Sequence, residues 1–375
     1  MRALIFSTHT GGGHDAAAEA IRQALEAHGV QTQVMDCVAF GGAWLSRVMS
    51  GGYVKLVQHY PEGFGKIYRF SQAISTPRIK SPVYLMNSAY AFRMAKKIAD
   101  YGADMIICTH LFGGQSVTHL RKHGQYKGYF AMVMTDYTFI PFLEDIKPDV
   151  LCVSHRAMLR ECREKGLPEG ILMPFGIPVS MDCRPCTDRA AAKRKIGMDP
   201  QTPHVLLVGG SMGAGNLPRI VSRLLPSLPD NARLTLVCGS NATAKAQAEE
   251  LLGSDKRLHV LGRVTPLYDL MATADVLITK SGGLTTTEAM TIGTPMVIVH
   301  PIHGCETANA AFFERTGLAL YARSLDELTE KTARLLGSQT ARERMIATQH
   351  QEIDPDCSMH LAAYLVEKTR LRMQD

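Results

Sequence analysis

The chain of 375 residues contains no apolar run that approaches the roughly 18 to 20 residues needed to cross a bilayer. Its apolar N-terminal stretch, residues 3–6, is also too short for the core of a signal peptide. Low-complexity segments and short-period repeats are absent, which argues against disordered and solenoid architectures. With 46% apolar and 20% charged residues, the sequence predicts a globular, cytosolic protein whose length favours two domains.

The chain also lacks the paired cysteine spacing of a zinc site. Its nine cysteines are scattered, and the C-x-x-C formed by Cys183 and Cys186 has no second pair or His-x-His spacing near it. We therefore interpret these two residues as linker cysteines without chemistry.

Strand patterns and helix patterns alternate along the whole chain, as they do in proteins built from parallel sheets. In the first half the sequence predicts strands at residues 3–7, 32–36, 105–109, 129–135, 150–153 and 171–173. In the second half it predicts strands at residues 204–208, 233–238, 258–260, 276–279 and 296–300. This alternation indicates an α/β protein with two doubly wound, Rossmann-like domains that face a cleft.

The helical patterns and the prolines between them set the predicted domain limits. Helices are predicted at residues 15–28, 87–101, 114–123, 156–165, 217–225, 242–253, 267–273, 285–292, 309–315, 325–336 and 358–373. Prolines and polar residues interrupt the periodicity at residues 176–187. We predict one domain at residues 1–178, a second at 179–353, and a C-terminal helix within 354–375 that packs back toward the first domain.

A run of three glycines and a histidine, Thr10 to His14, follows the first predicted strand and opens the first predicted helix. Such a turn lies at the carboxyl edge of a parallel sheet, where open α/β sheets bind ligands. Gly12 and Gly13 leave room for a substrate near the backbone, and the helix N-terminus offers unpaired N–H groups. A histidine here is able to act as a general base near neutral pH, so His14 is the candidate base. A glycine turn with an incidental histidine is the competing interpretation.

A second glycine-rich turn, residues 209–216, follows the strand predicted at residues 204–208. The bare N–H groups of Gly210 and Gly213, together with the hydroxyl of Ser211, suit the binding of a diphosphate. The turn has neither the dinucleotide spacing G-x-G-x-x-G nor the Gly-Lys-Ser/Thr of an ATP-binding loop. It therefore favours a nucleotide ligand other than NAD or ATP.

A third turn, residues 280–284, ends the strand at 276–279 and precedes a helix predicted to begin at Thr285. The amino end of that helix points at the predicted cleft, as a phosphate site requires. Glu288 then has two interpretations: its carboxylate binds the two hydroxyls of a nucleotide ribose, or it forms a capping box with Thr285. Past the next strand, Glu306 and Asn309 lie three residues apart on one helix face, which suits the binding of sugar hydroxyls.

Acidic residues are almost missing from residues 41–97, where nine Lys and Arg accompany a single Glu. The only tryptophan and several Tyr and Phe residues are interleaved with these cations. Such a segment suits an anionic lipid surface, whereas a solvated basic face over core aromatics is the plainer interpretation. Nucleic acid is not expected, because the segment has no recognisable nucleic-acid module. The membrane-binding candidates are Trp44, Arg47, Lys55, Lys66, Arg69, Arg78 and Lys80.

Six motifs, taken in order, resemble one family of enzymes. They are TGGGH at residues 10–14, MTDY at 134–137, FGIPVS at 175–180, GGSMGAG at 209–215, ITKSGGLTTTEAM at 278–290 and PIHGCETAN at 301–309. Together they resemble the GT-B glycosyltransferases of the monogalactosyldiacylglycerol synthase and processive diacylglycerol glucosyltransferase family. The chain is more distantly similar to the N-acetylglucosaminyltransferase that makes lipid II.

The resemblance implies that the C-terminal domain holds a UDP-sugar. By that likeness Ser211 and Met212 contact the diphosphate, and the backbone near Arg263 and Val264 holds the uracil. Glu288 takes the ribose, while Glu306 and Asn309 bind the sugar. The resemblance assigns the phosphates to Ser281, Gly282, Gly283, Leu284 and Thr285.

The resemblance implies that the N-terminal domain receives a lipid acceptor such as diacylglycerol. His14 matches the histidine that deprotonates or orients the acceptor hydroxyl, and Asp136 is placed to orient His14. Residues 41–97 fall where the family has its membrane and acceptor region. The implied reaction is an inverting hexose transfer at the cytosolic face of the cell membrane, with His14 as general base.

Three departures from the family pattern concern the predicted sites. The family often has Asp where this chain has His9, and Gln where it has Cys305, a position expected near the donor sugar. Many members have His and Trp within the stretch that corresponds to residues 138–142.

Metal and cofactor are not expected, because the UDP-sugar is a substrate and helix dipoles are able to offset the charge of the leaving UDP. Asp354 and Asp356 have the D-x-D form of metal-dependent glycosyltransferases, but they precede a predicted helix instead of ending a strand. Three alternatives stay open: an N-acetylglucosamine transferase acting on a polyprenyl-diphosphate sugar, a UDP-sugar epimerase of the same fold, and a non-catalytic sensor of UDP-sugar or lipid.

Overall fold

A computed structural model describes residues 1–8, 12–42, 61–75, 80–211, 213, 215–302 and 304–374. The chain divides into two compact units, which are described separately. Unit 1 comprises Met1–Asp182, His303–Cys305 and Asp356–Asp375, and unit 2 comprises Cys183–Ile302 and Glu306–Pro355.

Each unit contains one parallel sheet of six strands, which confirms the predicted α/β class. The strands of unit 1 are β1 (Arg2–Ser7), β2 (Gln31–Asp36), β3 (Met105–Cys108), β4 (Tyr129–Val133), β5 (Val150–Cys152) and β6 (Leu172–Met173). The strands of unit 2 are β7 (His204–Val208), β8 (Arg233–Val237), β9 (Leu258–Leu261), β10 (Val276–Thr279), β11 (Met296–Val299) and β12 (Leu320–Ala322).

Helices connect the strands, as parallel sheets require. In unit 1 they are α1 (Gly13–Ala27), α2 (Pro61–Ile74), α3 (Pro82–Tyr101), α4 (Leu111–Lys122) and α5 (Leu159–Glu164). Next come α6 (Arg189–Lys195), α7 (Leu217–Leu224), α8 (Ala242–Leu252), α9 (Tyr268–Thr273) and α10 (Gly283–Ile292). The last four are α11 (Cys305–Thr316), α12 (Leu325–Gly337), α13 (Gln339–Glu352) and α14 (Cys357–Gln374).

The strand order places a topological switch point in each unit. The order is β2-β1-β3-β4-β5-β6 in unit 1 and β12-β11-β10-β7-β8-β9 in unit 2. The chain leaves the first strand of each unit in one direction and later crosses back to its other side. In such sheets ligands bind beyond the carboxyl ends of the two strands at the reversal, here β1 with β3 and β7 with β10.

The core of unit 1 is completed by a helix that follows unit 2 in the chain. Leu361, Ala362, Leu365 and Val366 of α14 join the buried cluster formed by β1, β3, β4, β5 and α1. Unit 2 has its own cluster, built from β7, β8, β10 and β11 with α7, α8 and α12. Within the described residues, no helix is both long and apolar enough to cross a membrane.

Several predicted boundaries were wrong in a consistent direction. The strands predicted to end at residues 109, 135, 238 and 300 end one or two residues earlier. The polar residues just past β3 and β4 instead bond to side chains at the sheet edge, as described below. Three helices, α2, α6 and α13, and the strand β12 were not predicted. The helix α6 and the strand β12 are short, glycines interrupt the apolar pattern of α2, and α13 buries only Met345 and Gln349.

Candidate active site

His14 lies at the switch point of unit 1, in the first turn of α1. The helix begins at Gly13, and Gly12 precedes it as the N-cap with a left-handed backbone at φ 77°. A left-handed conformation costs a residue with a Cβ about 1 kcal/mol or more, so glycine is favoured there. This turn directs the half-buried His14 ring toward the end of β3.

The hydrogen bonds of His14 fix which ring nitrogen carries the proton. Its Nδ1 lies 2.8 Å from the carbonyl oxygen of Thr109 and 3.0 Å from Oγ1 of Thr135. A carbonyl only accepts, so Nδ1 carries a proton, and in the neutral ring the free lone pair is then on Nε2. The hydroxyl of Thr109 donates in return to the carbonyl of His14 at 3.1 Å. The neutral tautomer that a general base needs is therefore built into the fold.

A second histidine, His110, lies edge-on against His14 with 4.6 Å between ring centroids. Its Nδ1 accepts a hydrogen bond from the N–H of Phe112 at 3.2 Å, which caps α4. Burial, and to a lesser degree the neighbouring His14, hold the pKa of His110 well below its usual range. The imidazole beside the candidate base thus stays neutral at physiological pH. Sequence analysis did not single out His110, although it directly follows the end of a predicted strand.

The described contacts of the His14 ring come from residues at the ends of β3 and β4. Thr109 and Thr135 hold Nδ1, a role that sequence analysis assigned to Asp136. The backbone carbonyl of Asp136 accepts a hydrogen bond from Ser154 Oγ at 2.5 Å. The role of the Asp136 carboxylate stays a prediction.

In unit 2 the turn that follows β7 packs backbone directly against backbone. Gly210 and Gly213 have positive φ values of 74° and 58°. A Cβ on Gly213 would lie 2.1 Å from the carbonyl oxygen of Cys238, so no side chain fits there. Ser211 in this turn is exposed, and Met212 lies outside the described residues. The turn has the tight, side-chain-free form that favours phosphate binding.

The turn that follows β10 leads into α10 without a side-chain cap. The helix begins at Gly283, its N-cap is Gly282, and no side chain accepts a hydrogen bond from its first turn. Uncapped N–H groups at a helix N-terminus suit an anionic ligand. Ser281 is buried and donates from Oγ to the carbonyl of Glu306 at 2.5 Å, which ties this turn to α11. The helix begins two residues earlier than predicted, so Leu284 and Thr285 both lie in the first turn of α10.

Glu288 lies in the middle of α10, so its interpretation as part of a capping box with Thr285 was wrong. Burial raises the pKa of its carboxyl group to about 7. Among the described residues, none donates a hydrogen bond or an ion pair to this carboxylate. A poorly solvated carboxylate without a partner is typical of a functional site, because its charge costs stability until a ligand contacts it.

Glu306 and Asn309 lie side by side on α11, as their spacing predicts. The carboxylate of Glu306 forms an ion pair with Lys280, and its Oε2 accepts from the N–H of Ile302 at 2.9 Å. Asn309 is fully buried and donates from Nδ2 to the carbonyl of Ser281 at 3.0 Å. Sequence analysis did not single out Lys280, although a lysine directly after a buried strand is a signal that points to the sheet edge.

The residues implied for uracil lie at another loop of unit 2, and Cys305, expected near the sugar, belongs to unit 1. Arg263 and Val264 follow β9, the outermost strand on that side of the sheet, where Arg263 is exposed and Val264 half-buried. Cys305 is the first residue of α11 and is half-buried. Their contacts with a donor remain predictions.

Two of the seven membrane candidates lie on an exposed face of α2. Lys66 and Arg69 are exposed, and the same face carries Phe70 and Ile74, which are 66% and 40% exposed. Lys80 differs, because it pairs with the buried carboxylate of Asp145 at 3.4 Å and donates to its backbone carbonyl at 2.7 Å. Trp44, Arg47, Lys55 and Arg78 lie outside the described residues.

No group of three or more His, Cys, Asp and Glu side chains in the described part of the chain is arranged to hold a metal ion. Asp354 and Asp356 directly precede α14, the position predicted from the sequence.

Comparison with known proteins supports the predicted resemblance in both halves of the chain. The family model for monogalactosyldiacylglycerol (MGDG) synthase matches residues 14–179, and the glycosyltransferase family 28 C-terminal domain matches residues 204–360. The chain is 27% identical over 354 residues to monogalactosyldiacylglycerol synthase 1, chloroplastic, of Arabidopsis thaliana, covering 90% of this chain and 65% of that relative. It thus spans about two thirds of the length of the plant relative.

A bacterial relative matches over nearly its whole length. The chain is 24% identical over 379 residues to a processive diacylglycerol beta-glucosyltransferase of Bacillus cytotoxicus, covering 98% of this chain and 94% of the relative. Two family models on consecutive parts of the chain, together with these relatives, confirm the predicted family.

Solved structures at low sequence identity share the fold. MurG of Acinetobacter baumannii superposes with a TM-score of 0.61 at 16% identity, covering 98% of this chain and 99% of its own. The UDP-GlcNAc 2-epimerase of Neisseria meningitidis, bound to UDP-GlcNAc, has a TM-score of 0.61 at 13% identity. The superposition covers 99% of this chain and 100% of the epimerase chain. The fold therefore does not separate transferases from epimerases, whereas the family models do. The chain has the GT-B fold and belongs to the glycosyltransferase family of the monogalactosyldiacylglycerol synthases and processive diacylglycerol glucosyltransferases.

Proposed function

We infer that the protein transfers a hexose from a UDP-sugar to the hydroxyl of diacylglycerol or a similar lipid, with inversion at the anomeric carbon. The observation that carries this proposal is the fixed tautomer of His14. The Thr109 carbonyl keeps the proton on Nδ1, so Nε2 is ready to accept a proton from an alcohol. The family to which the chain belongs supplies the acceptor and donor classes.

In the proposed reaction His14 Nε2 takes the proton of the acceptor hydroxyl as its oxygen attacks the anomeric carbon. The bond between that carbon and the phosphate oxygen breaks, and its electron pair leaves on UDP. A β-linkage results from an α-linked donor. General-base assistance of this kind typically contributes on the order of 10²- to 10⁴-fold in rate.

Unit 2 binds the donor in this proposal. The turns after β7 and β10 receive the diphosphate at the switch point, and the Glu288 carboxylate accepts hydrogen bonds from the two ribose hydroxyls. Burial has already desolvated that carboxylate and raised its pKa to about 7, so ribose hydroxyls replace water that it has lost. No metal or cofactor enters the proposed reaction.

The exposed face of α2 contacts an anionic membrane in this proposal, from the cytosolic side. Lys66 and Arg69 supply attraction to lipid headgroups, and Phe70 and Ile74 supply apolar contact at the headgroup boundary. Lys80 is left out of this surface, because its charge is already paired with a buried carboxylate.

A donor screen tests the proposed function. Purified protein is mixed with vesicles that contain diacylglycerol and with each UDP-sugar in turn, and both the lipid products and the nucleotide-sugars are resolved by chromatography. We expect a glycosylated diacylglycerol and free UDP with UDP-glucose or UDP-galactose. Isomerised UDP-GlcNAc without a lipid product would establish an epimerase instead. A parallel screen replaces diacylglycerol with a polyprenyl-diphosphate sugar, and transfer only to that acceptor would establish the N-acetylglucosamine transferase.

A further inference from the structure

Lys280 lies where the two glycine turns of unit 2 meet. It directly follows β10, whose last residue, Thr279, is in register with Val208 at the end of β7. A Cβ on Gly210 would lie 2.7 Å from Lys280 Cε, so the lysine side chain lies directly on the first turn. A Cβ on Gly282 would lie 3.4 Å from Lys280 Nζ, which places the ammonium group beside the second turn. Both turns thus share one cation.

The partner of this cation is also at the same edge. Lys280 Nζ pairs with Glu306 Oε1, and the two side chains are only 18% and 9% exposed. The other carboxylate oxygen of Glu306 accepts from the backbone N–H of Ile302 at 2.9 Å. Glu306 therefore keeps a hydrogen bond if the lysine leaves, whereas the lysine is poorly solvated and requires an anion wherever it lies.

We propose that Lys280 binds the β-phosphate of the nucleotide diphosphate and gives up Glu306 when the donor arrives. This inference rests on the proposed function and names the cation that meets the leaving group. The exchange is between two anions for one ammonium group and needs a pivot of a flexible side chain, while the backbone turns stay in place.

The charge balance explains why a cation belongs at this position. The diphosphate of a UDP-sugar carries two negative charges, and the leaving UDP gains a third on its terminal phosphate when the bond to the anomeric carbon breaks. The electron pair of that bond goes to the β-phosphate oxygen, and the proton of the acceptor goes to His14. An ammonium group at the β-phosphate stabilises the charge of the leaving UDP more than it stabilises the charge of the bound donor, because the additional charge develops at that phosphate.

The released carboxylate of Glu306 gains a second task in the same step. It lies on α11 beside Asn309, the face that the sequence predicts for sugar hydroxyls. Exchange of Lys280 from Glu306 to phosphate thereby frees an acceptor for the sugar only when a diphosphate is present. Donor binding and sugar recognition become coupled through one ion pair.

Calorimetry with UDP and UMP on the full chain tests the proposal without any acceptor lipid or activity. Lys280→Met keeps the aliphatic stem and removes the charge, so we expect UDP to bind about 10- to 100-fold more weakly. UMP has no β-phosphate, and its affinity should change less than about threefold. Lys280→Arg retains the charge and should recover most of the UDP affinity.

Glu306→Gln provides the sharper result, because it removes the competing anion. We expect UDP to bind about threefold more tightly to this variant, opposite in sign to Lys280→Met. A structural ion pair would lower the melting temperature in both variants and would not give opposite signs in affinity. Lys331→Met is the matched control, since Lys331 is 22% exposed and pairs with Glu327 in the same unit. Its UDP affinity should stay within about twofold of wild type.

Three results would overturn the proposal. One is an equal loss of UDP and UMP affinity in Lys280→Met, which would place the lysine away from the β-phosphate. Another is weaker UDP binding in Glu306→Gln. The third is a failure of the wild-type protein to bind UDP, which would also remove the proposed function, whereas the first two results would leave it intact.

Discussion

The two units have the same sheet order at their switch points but place opposite chemistry there. In unit 1 the residues past the carboxyl ends of β1, β3 and β4 include His14, His110, Thr109 and Thr135, and the described contacts of the His14 ring are with histidine and threonine. In unit 2 the carboxyl ends of β7 and β10 hold bare glycine turns, the Lys280–Glu306 ion pair and the carboxylate of Glu288, to which no described residue donates a hydrogen bond or an ion pair. One topology thus carries both the proposed proton acceptor and the proposed anion site.

The difference shows how a doubly wound sheet is adapted to its ligand. A base that takes a proton from an alcohol is weakened by a nearby positive charge, and the described contacts of the His14 ring, which are a carbonyl, a hydroxyl and the neutral His110 ring, bring none. A diphosphate needs compensating charge and close access to the backbone, which unit 2 supplies through Lys280 and glycine. Variants in unit 1 should therefore alter the transfer rate and leave nucleotide binding unchanged, whereas variants in unit 2 should alter nucleotide binding.

The largest effect should come from removing the base of unit 1. His14→Ala is expected to lower the rate of transfer about 10²- to 10⁴-fold, because Nε2 is the proposed proton acceptor. UDP affinity measured by calorimetry should stay at the wild-type value, since His14 belongs to unit 1 and the nucleotide turns to unit 2. Transfer within a few-fold of wild type would remove His14 from the mechanism.

The next effect should come from the carboxylate of unit 2. Glu288→Gln is expected to weaken UDP-glucose about 10- to 100-fold, through loss of charge-assisted hydrogen bonds to ribose. Only the ionised carboxylate is able to accept hydrogen bonds from both ribose hydroxyls. Because the pKa of Glu288 in the folded protein is about 7, the ionised fraction rises between pH 6 and 8. Wild-type affinity should therefore rise about tenfold between pH 6 and 8, and the variant should lose this dependence. The phosphates of UDP-glucose do not titrate in that range, so the change reports on the protein.

The stability of the same variant gives an independent check. The pKa of Glu288 is raised on folding from its ordinary value of 4.5 to about 7, so its cost to the free energy of unfolding grows as pH rises through that window. Above pH 7 the carboxylate costs up to about 3 kcal/mol. Glu288→Gln should thus raise the melting temperature at pH 8 and change it little at pH 4. A lower melting temperature at pH 8 would contradict the raised pKa.

Membrane binding should be confined to unit 1. Reversal of Lys66 and Arg69 to Glu is expected to weaken binding to phosphatidylglycerol vesicles by about tenfold or more at low salt, since each cation contributes about 1 kcal/mol. Raising the salt should shrink the difference. The matched control, Lys256→Glu with Arg344→Glu, makes the same charge change on exposed residues of unit 2. Equal sedimentation of both double variants with vesicles would remove α2 from the membrane surface.

The smallest effect should come from a residue that acts through His14. Thr135→Val removes one of the two partners of Nδ1 and leaves the Thr109 carbonyl, so we expect kcat to fall about fivefold with KM unchanged. Thr316→Val removes a part-buried hydroxyl that bonds only to the backbone of α11 and serves as the control. Equal effects of the two variants would contradict a positioning role for Thr135.

The sequence predicts the sheets and the glycine turns well, because both are local patterns. The strands β7 and β10 were predicted at their observed limits, as apolar runs that end in glycine or polar turns. The helix α13 was missed because its faces are almost entirely polar, so the periodicity of burial is absent from its sequence. An element with a periodic apolar pattern is predicted from its local sequence, whereas a short or wholly polar element has no such pattern.

The partners of the site residues could not be predicted in the same way. Thr109 and Thr135 meet His14 across separations of 95 and 121 residues, and Lys280 meets Glu306 across 26. Each contact exists because strands that are distant in sequence end at the same sheet edge. The glycine turns predicted where the candidate site lies. The side chains that fix the tautomer of His14 and pair with Glu306 were identified only from the strand topology.

The helix α14 has a consequence for the way in which the chain is made. The residues that complete the buried cluster of unit 1, Leu361 to Val366, are synthesised after all of unit 2. Until α14 has been synthesised, the apolar surface of α1 and of the unit 1 sheet stays uncovered. All residues of the unit 2 core precede α14 in the chain. Unit 1 thus completes its buried cluster only after all residues of unit 2 have been made. A chain that terminates before α14 therefore presents that bare surface to chaperones and proteases.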